Sequence, residues 1–423
     1  PRTASLLEIL MFVAFENNNN CIMRKHSFLL LFLFIAAGLE AQSRWEKIDD
    51  LVAFCHANGM FNGNILVAEK GKIIYHQSIG KADFDTNIPL NSNTSFCVGS
   101  ISKQFTAFAI MLLQKQGKLT YSTSVGEVFP ELPKYMHPIA MSNLMQHTSG
   151  LRRTHYGSPD GLKNEDIYQN FLQTEGDSLL FEPGTDLSYS NSGYMLLAMI
   201  VERVSGQSFE SFLHEHVWEP LGMTHTFVMS EDDYNRPNRA IGFDGFGNKD
   251  DFNVLTYGSN GVYSSAEDLF RWMQSFDTDL VMGIDERAEA WKPAMDPDGE
   301  FLLAEFGGHR WKYGFGLFVC DGDLEGIIGH TGAYGGFLNM VMHDFDNDRD
   351  MVILTNNGRM LPIADLGIAV QHILRNQPYT LPRISIDVEL RKKHYAHSDS
   401  AIQHYHFLKK HCPRKYWFDS EWE

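Results

Sequence analysis

The sequence predicts an α+β fold, an antiparallel β-sheet flanked by helices with a mostly helical insert. Three observations carry this. A tight β-hairpin pattern opens the chain near residues 64–77, short strands joined by turns dominate from Tyr313 onward, and the block from Leu119 to Gln274 lacks strand signals. Helical patterns on both sides of the strands imply a sheet covered by helices.

In chain order, Trp45 to His56 reads as an amphipathic helix, with Trp45, Ile48, Leu51, Val52 and Cys55 along one side. Asn64 to Ala68 and Ile73 to Gln77 alternate as strands around the turn Glu69-Lys70-Gly71-Lys72. Leu90 to Gly99 leads into an apolar helix that runs from Ser100 to Gly117. Prolines 130, 133 and 138 mark a connecting region, and Met141 to Met145 is a short apolar turn before Gln146-His147-Thr148-Ser149-Gly150-Leu151. Phe181-Glu182-Pro183-Gly184-Thr185 makes a turn. A second apolar helix starts near Ser192 and a third spans Phe209 to Val217. Gly258-Ser259-Asn260-Gly261 precedes Val262, and Ser265 or its neighbour caps a helix from Ala266 to Phe276. Tyr313 to Cys320 reads as one strand and Glu325 to His330 as the next. Phe337 to His343 and Asp350 to Thr355 form a hairpin, and Leu361 to Leu374 is a closing helix.

The N-terminal region has a different character. Residues 1–22 include Asn17 to Asn20 in a row and read as a non-native upstream tract. Met23 then opens a basic stretch, an apolar run from Phe28 to Gly38 and a small residue at Ala41. This is the layout of a secretory signal over 23–41, cut after Ala41. The run is shorter than the roughly 20 residues that cross a bilayer. An exported protein is expected, periplasmic or secreted, with a retained membrane anchor as the alternative. The net charge of −18 argues against nucleic acid or anionic lipid as a partner. Cys55, Cys97, Cys320 and Cys412 are scattered without a C-x-x-C, so neither a metal nor a redox site is expected; buried apolar cysteines are the preferred reading for the first three.

Three stretches can carry chemistry. In Ser100-Ile101-Ser102-Lys103 the amine stands one helical turn from the hydroxyl and can take its proton. A helix N-terminus adds N–H groups suited to an oxyanion. The second stretch is Tyr189-Ser190-Asn191, between a turn and a helix. The third is Gly329-His330-Thr331-Gly332, at the end of a strand. His147 could be a base, but turn residues surround it and it lies far from the other candidates in sequence, so a structural role is preferred.

Taken in order, S-x-x-K, Y-x-N and H-T-G resemble the serine β-lactamase and penicillin-binding-protein superfamily, in its class C-like branch. Leu144 to Leu151, Glu219-Pro220-Leu221-Gly222-Met223 and Gly261 to Leu269 match the family's surroundings, and the resemblance covers roughly 45–375. It implies a β-lactamase/transpeptidase-like hydrolase domain over 42–380, with 119–274 as the helical insert. Ser100 would be the acylated nucleophile, Lys103 would hold its pKa down or act as its base, and Tyr189 would be a second proton handler. Asn191 would orient Lys103 and the substrate amide. His330, Thr331, Gly332 and Ala333 would bind an extended acyl substrate by strand addition, with the oxyanion between the backbone N–H groups of Ser100 and Ala333. His330 replaces the lysine usual in β-lactamases of this branch. A histidine is largely neutral at pH 7 and donates mainly a hydrogen bond, where lysine is a permanent cation for the carboxylate of a β-lactam or a peptide. The H-T-G form is similar to that of related D-alanyl-D-alanine carboxypeptidases and esterases, so the resemblance implies one of these activities over efficient β-lactamase activity. D-alanyl-D-alanine-type peptides, β-lactams and esters all remain candidate substrates. A penicillin-binding sensor or non-catalytic binding protein is the alternative. No cofactor is implied.

Residues 387–423 hold His394, His397, His404, His406, His411 and Cys412. A solvated, partly helical tail is preferred over a metal site, because no pair has zinc-site spacing. Tyr395, Ile402, Tyr405, Phe407 and Leu408 resemble the start of a helical-repeat extension, expected to be truncated and to serve a protein partner.

Overall fold

The structure is a computed structural model, and it describes residues 44–152, 161–174, 178–244, 247–251, 255–306, 309–358, 360–386, 390, 399–412 and 415–417. The expected upstream tract and signal segment lie outside the described residues. One eight-stranded antiparallel sheet organises the fold. Its strands in chain order are β1 (Gly63–Glu69), β2 (Lys72–Ile79), β3 (Leu303–Phe306), β4 (His309–Tyr313), β5 (Phe318–Val319), β6 (Ile327–Tyr334), β7 (Phe337–Asp344) and β8 (Arg349–Thr355). They lie side by side as β2-β1-β8-β7-β6-β5-β4-β3. The N-terminal hairpin therefore closes onto the last strand, with Gly63 opposite Thr355 and Glu69 opposite Arg349. The Arg349 guanidinium donates to Glu69 Oε1 at 2.9 and 2.8 Å, which holds that register.

The sheet buries both faces. Alternation along the strands sends Leu66, Ile328, Val341, Val352 and Leu354 to one side, and Ile65, Val67, Ile327, Met340 and Ile353 to the other. The second side is covered by the helix α1 (44–57) and by α6 (Ile363–Leu374). In α1 the apolar positions Ile48, Leu51, Val52 and Cys55 are all buried. The first side carries the larger core and meets α2 (Ser102–Lys115) and α4 (Asn191–Ser205), which pack on each other, with α5 (Ala266–Gln274) against β8 and β1. Ser265 caps α5 by accepting from Asp268 N at 3.2 Å, as its sequence predicts.

Several expectations need correction. The stretch from Tyr313 to Cys320 is not one strand. It turns back at Gly314–Leu317, so that Phe318 pairs with Tyr313. Gly316 has φ +75°, and a Cβ there would stand 2.6 Å from Lys103 O, so this turn is pressed against α2. The preceding hairpin β3–β4 has no counterpart in the sequence reading, and β6 runs on from Ile327 to Tyr334 rather than stopping at His330. The region 119–274 is helical in part, including α3 (Asn164–Gln173) and α4, but it also holds strands. Val262–Ser264 lies between Phe96–Cys97 and Phe227–Val228 in a separate three-stranded sheet.

Cys55, Cys97 and Cys320 are buried free thiols, pushed up to about 12 by burial. In the tail, α7 (Asp399–His411) places Tyr405 and Leu408 against Ile386 and Leu390, while Ile402 and Phe407 are exposed.

Candidate active site

Ser100 sits in a 3-10 turn, Gly99–Ile101, that runs directly into α2. Two stretches pin this turn from opposite sides. On one side, Val98 N donates to Val262 O at 2.9 Å, Val262 N donates to Ser102 Oγ at 3.2 Å, and Thr106 Oγ1 donates to Gly258 O at 2.7 Å. On the other side lies β6. A Cβ added at Gly332 would stand 1.9 Å from Val98 O and 3.1 Å from Ser100 N, and one added at Gly99 would stand 2.8 Å from Ala333 N. Glycine at both positions is what lets the nucleophile turn and the strand come this close. The contact brings the backbone at Ser100 and the backbone at Ala333 close together.

Lys103 is fully buried, and its Nζ lies 3.0 Å from Ser100 Oγ and donates to Ser259 O at 2.9 Å. No carboxylate pairs with it among the described residues. Burial therefore holds its pKa well below the ordinary lysine value, which favours the neutral amine that a base must be. Its Nζ lies 4.8 Å from the Tyr189 ring centroid and 5.6 Å from that of Tyr194. Three sequence-distant stretches thus converge: the Ser100 turn, Tyr189 ahead of α4, and the end of β6.

A model of the Beta-lactamase family matches residues 46–370. The chain belongs to the Beta-lactamase family. It is 32% identical to penicillin-binding protein 4* of Bacillus subtilis over 376 residues, covering 82% of this chain and 79% of that one. Its fold is similar to the octameric penicillin-binding protein homologue from Pyrococcus abyssi, with TM-score 0.69 and 23% identity over 78% of this chain and 77% of that one. It is also similar to the β-lactamase/D-alanine carboxypeptidase from Yersinia pestis, with TM-score 0.65 and 21% identity over 79% and 99% of the two chains.

Within this Beta-lactamase family site, two residues stand differently from the roles read in the sequence. Asn191 is the first residue of α4 and is exposed. Among the described residues, the hydrogen bonds of Lys103 Nζ go to Ser100 and to the Ser259 carbonyl, and the exposed Asn191 stays compatible with the substrate amide also read for it. The Gly258–Gly261 turn is visible in the sequence, but a backbone acceptor leaves no side-chain signature. His330 is only 3% exposed and does not reach out as a donor to substrate. Its Nε2 meets Tyr313 Oη at 3.1 Å and its Nδ1 meets Thr331 O. Burial first, and the neighbouring Lys103 second, lower its pKa to about 3. Along β6 beyond it, Thr331 is half-buried, Gly332 buried and Ala333 exposed. Strand β5 pairs only as far as Gly329, and β6 also packs against the Ser100 turn.

The lowered His330 pKa has a consequence for stability. The unfolded chain binds a proton on this side chain near pH 6.5 and the folded chain does not until about 3, so stability falls as pH drops through that window. The loss amounts to roughly 5 kcal/mol for the full shift. His330→Gln is expected to flatten urea-unfolding stability between pH 7 and pH 4. An unchanged slope would contradict the burial of a neutral imidazole.

His147, read from the sequence as a structural turn residue, lies inside this cluster. Its ring is 4.1 Å from that of Tyr189, 5.0 Å from Tyr194 and 4.7 Å from Tyr313, centroid to centroid. Distance along the chain concealed this proximity.

Proposed function

We propose that the protein is a serine hydrolase working through an acyl-enzyme on Ser100, with a D-alanyl-D-alanine-type peptide or an ester as substrate. The Lys103–Ser100 contact carries this reading: a buried amine held toward its neutral form stands 3.0 Å from the hydroxyl it would deprotonate. Ser100 Oγ attacks the acyl carbon while its proton passes to Lys103. The carbonyl oxygen, now negative, is received by the N–H groups of Ser100 and Ala333. Collapse breaks the bond to the leaving group, which takes a proton from the Lys103–Tyr189 pair. Water then attacks the ester on Ser100 and loses a proton to the same pair; the bond from the acyl carbon to Ser100 Oγ breaks, Oγ takes that proton back, and the acid leaves.

A buried neutral His330 supplies no fixed cation for a substrate carboxylate at this strand. A β-lactam and a D-alanyl-D-alanine-type peptide both present a carboxylate, so the buried histidine favours an ester, and the peptidase reading rests on the resemblance carried by the H-T-G stretch. Export rests on the pattern over 23–41 alone. The test is a turnover panel of an acylated D-alanyl-D-alanine peptide, a p-nitrophenyl ester and a penicillin, run beside Ser100→Ala. Ser100-dependent turnover of peptide or ester faster than of penicillin is expected. Binding of penicillin without turnover of any of the three would replace the hydrolase with the sensor reading.

A further inference from the structure

The short helix Met141–Met145 ends at Gln146, and His147 follows with φ +61°. The backbone closes as a Schellman motif: Thr148 N donates to Asn143 O at 2.8 Å and His147 N donates to Leu144 O at 3.4 Å. Glycine is the residue this position favours, and a side chain in the left-handed region costs about 1 kcal/mol or more. Yet the site holds a histidine, and that histidine is buried.

The ring accounts for the choice. Tyr189 is bracketed on both sides by this one residue. Ser188 N donates to His147 O at 2.9 Å, and Ser190 N donates to His147 Nδ1 at 3.0 Å. Because the donor is a backbone N–H, Nδ1 must carry the lone pair, and the ring proton sits on Nε2. The imidazole face then lies against the Tyr189 ring, 4.1 Å away and tilted by 39°. Tyr189 precedes α4 on an irregular segment, where neither a helix nor a strand ladder would fix it.

We infer that His147 is a positioning residue for Tyr189, clamping the backbone on both sides of it through its own carbonyl and Nδ1 and bracing the phenol with its ring. The inference rests on the Ser100 acyl-enzyme reading and assigns His147 no proton transfer. The backbone half of the clamp survives any substitution. The ring half requires an acceptor at the place of Nδ1.

Two substitutions separate this role from a merely structural one. His147→Gly suits the left-handed backbone and keeps the carbonyl, but it removes the acceptor. His147→Asn tolerates the same backbone and offers Oδ1 close to where Nδ1 lies. With p-nitrophenyl butyrate as probe, His147→Gly is expected to lower kcat by about tenfold to a hundredfold with little change in KM, since a misplaced catalytic group costs that much. His147→Asn is expected to stay within about threefold of wild type. A folded His147→Gly protein with wild-type kcat would overturn the inference, and so would an asparagine variant as slow as the glycine one. If the glycine variant does not fold, the asparagine variant decides alone, and a tenfold fall in its kcat overturns the clamp. A wild-type chain without Ser100-dependent turnover would instead overturn the hydrolase reading and this inference together.

Discussion

Lys103→Met is expected to lower kcat by roughly 10³–10⁴-fold while leaving a folded protein. Methionine fills the same fully buried space, but it cannot take the Ser100 proton. The stability effect depends on pH, and its sign follows from the lowered pKa. In the unfolded chain Lys103 keeps its proton up to about 10.4. In the folded chain burial drives the proton off at lower pH. Between those two values the unfolded state binds more protons, so wild-type stability rises with pH. The methionine variant lacks this slope. Relative to wild type it is expected to be most stable at the acid end of that window, and to lose the advantage toward pH 10. There the Ser259 carbonyl, 2.9 Å from Nζ in wild type, is left without its donor at a cost of about 1–3 kcal/mol. Urea unfolding from pH 6 to pH 10 checks the crossing. A variant that retained activity, or whose stability ran parallel to wild type, would contradict a buried neutral base.

Gly332→Ala is expected to cost about 10²–10³-fold in kcat, with about 1–3 kcal/mol of stability. The added methyl would stand 1.9 Å from Val98 O, so β6 and the Ser100 turn must part. That separates the two N–H groups proposed to receive the oxyanion. Gly329→Ala on the same strand is the control. Its methyl would stand 2.2 Å from Val341 O, on the β7 side and away from Ser100. It should lose comparable stability and keep most of its rate per folded molecule. Equal rate losses in the two variants would show that strand damage, rather than the oxyanion geometry, is responsible.

Periodicity and turn chemistry made much of the sheet and its covering helices readable: α1 buries one apolar stripe, the turn at Gly71 joins β1 to β2, and β1, β7 and β8 are apolar runs buried on both faces. The stretch 313–320 was not readable, since Gly316 turns the chain for the sake of a contact with Lys103 O that local sequence does not display. In the site, Ser100 and Lys103 are one helical turn apart and so declare themselves. Ser259 acts through its carbonyl, and any residue type can offer one. His147 and Tyr189 are brought together only by the fold. His330 shows its residue type in the sequence but not its burial, and burial is what turns a donor to substrate into a neutral partner of Tyr313.

The central claim is that Ser100 is acylated. Intact-protein mass spectrometry, followed by peptide mapping after acid quench of a reaction with penicillin or p-nitrophenyl butyrate, tests it most directly. The account predicts a single added acyl group, mapped to Ser100 and absent from Ser100→Ala. An acyl group found on another residue, or an equal adduct on the Ser100→Ala protein, would contradict it.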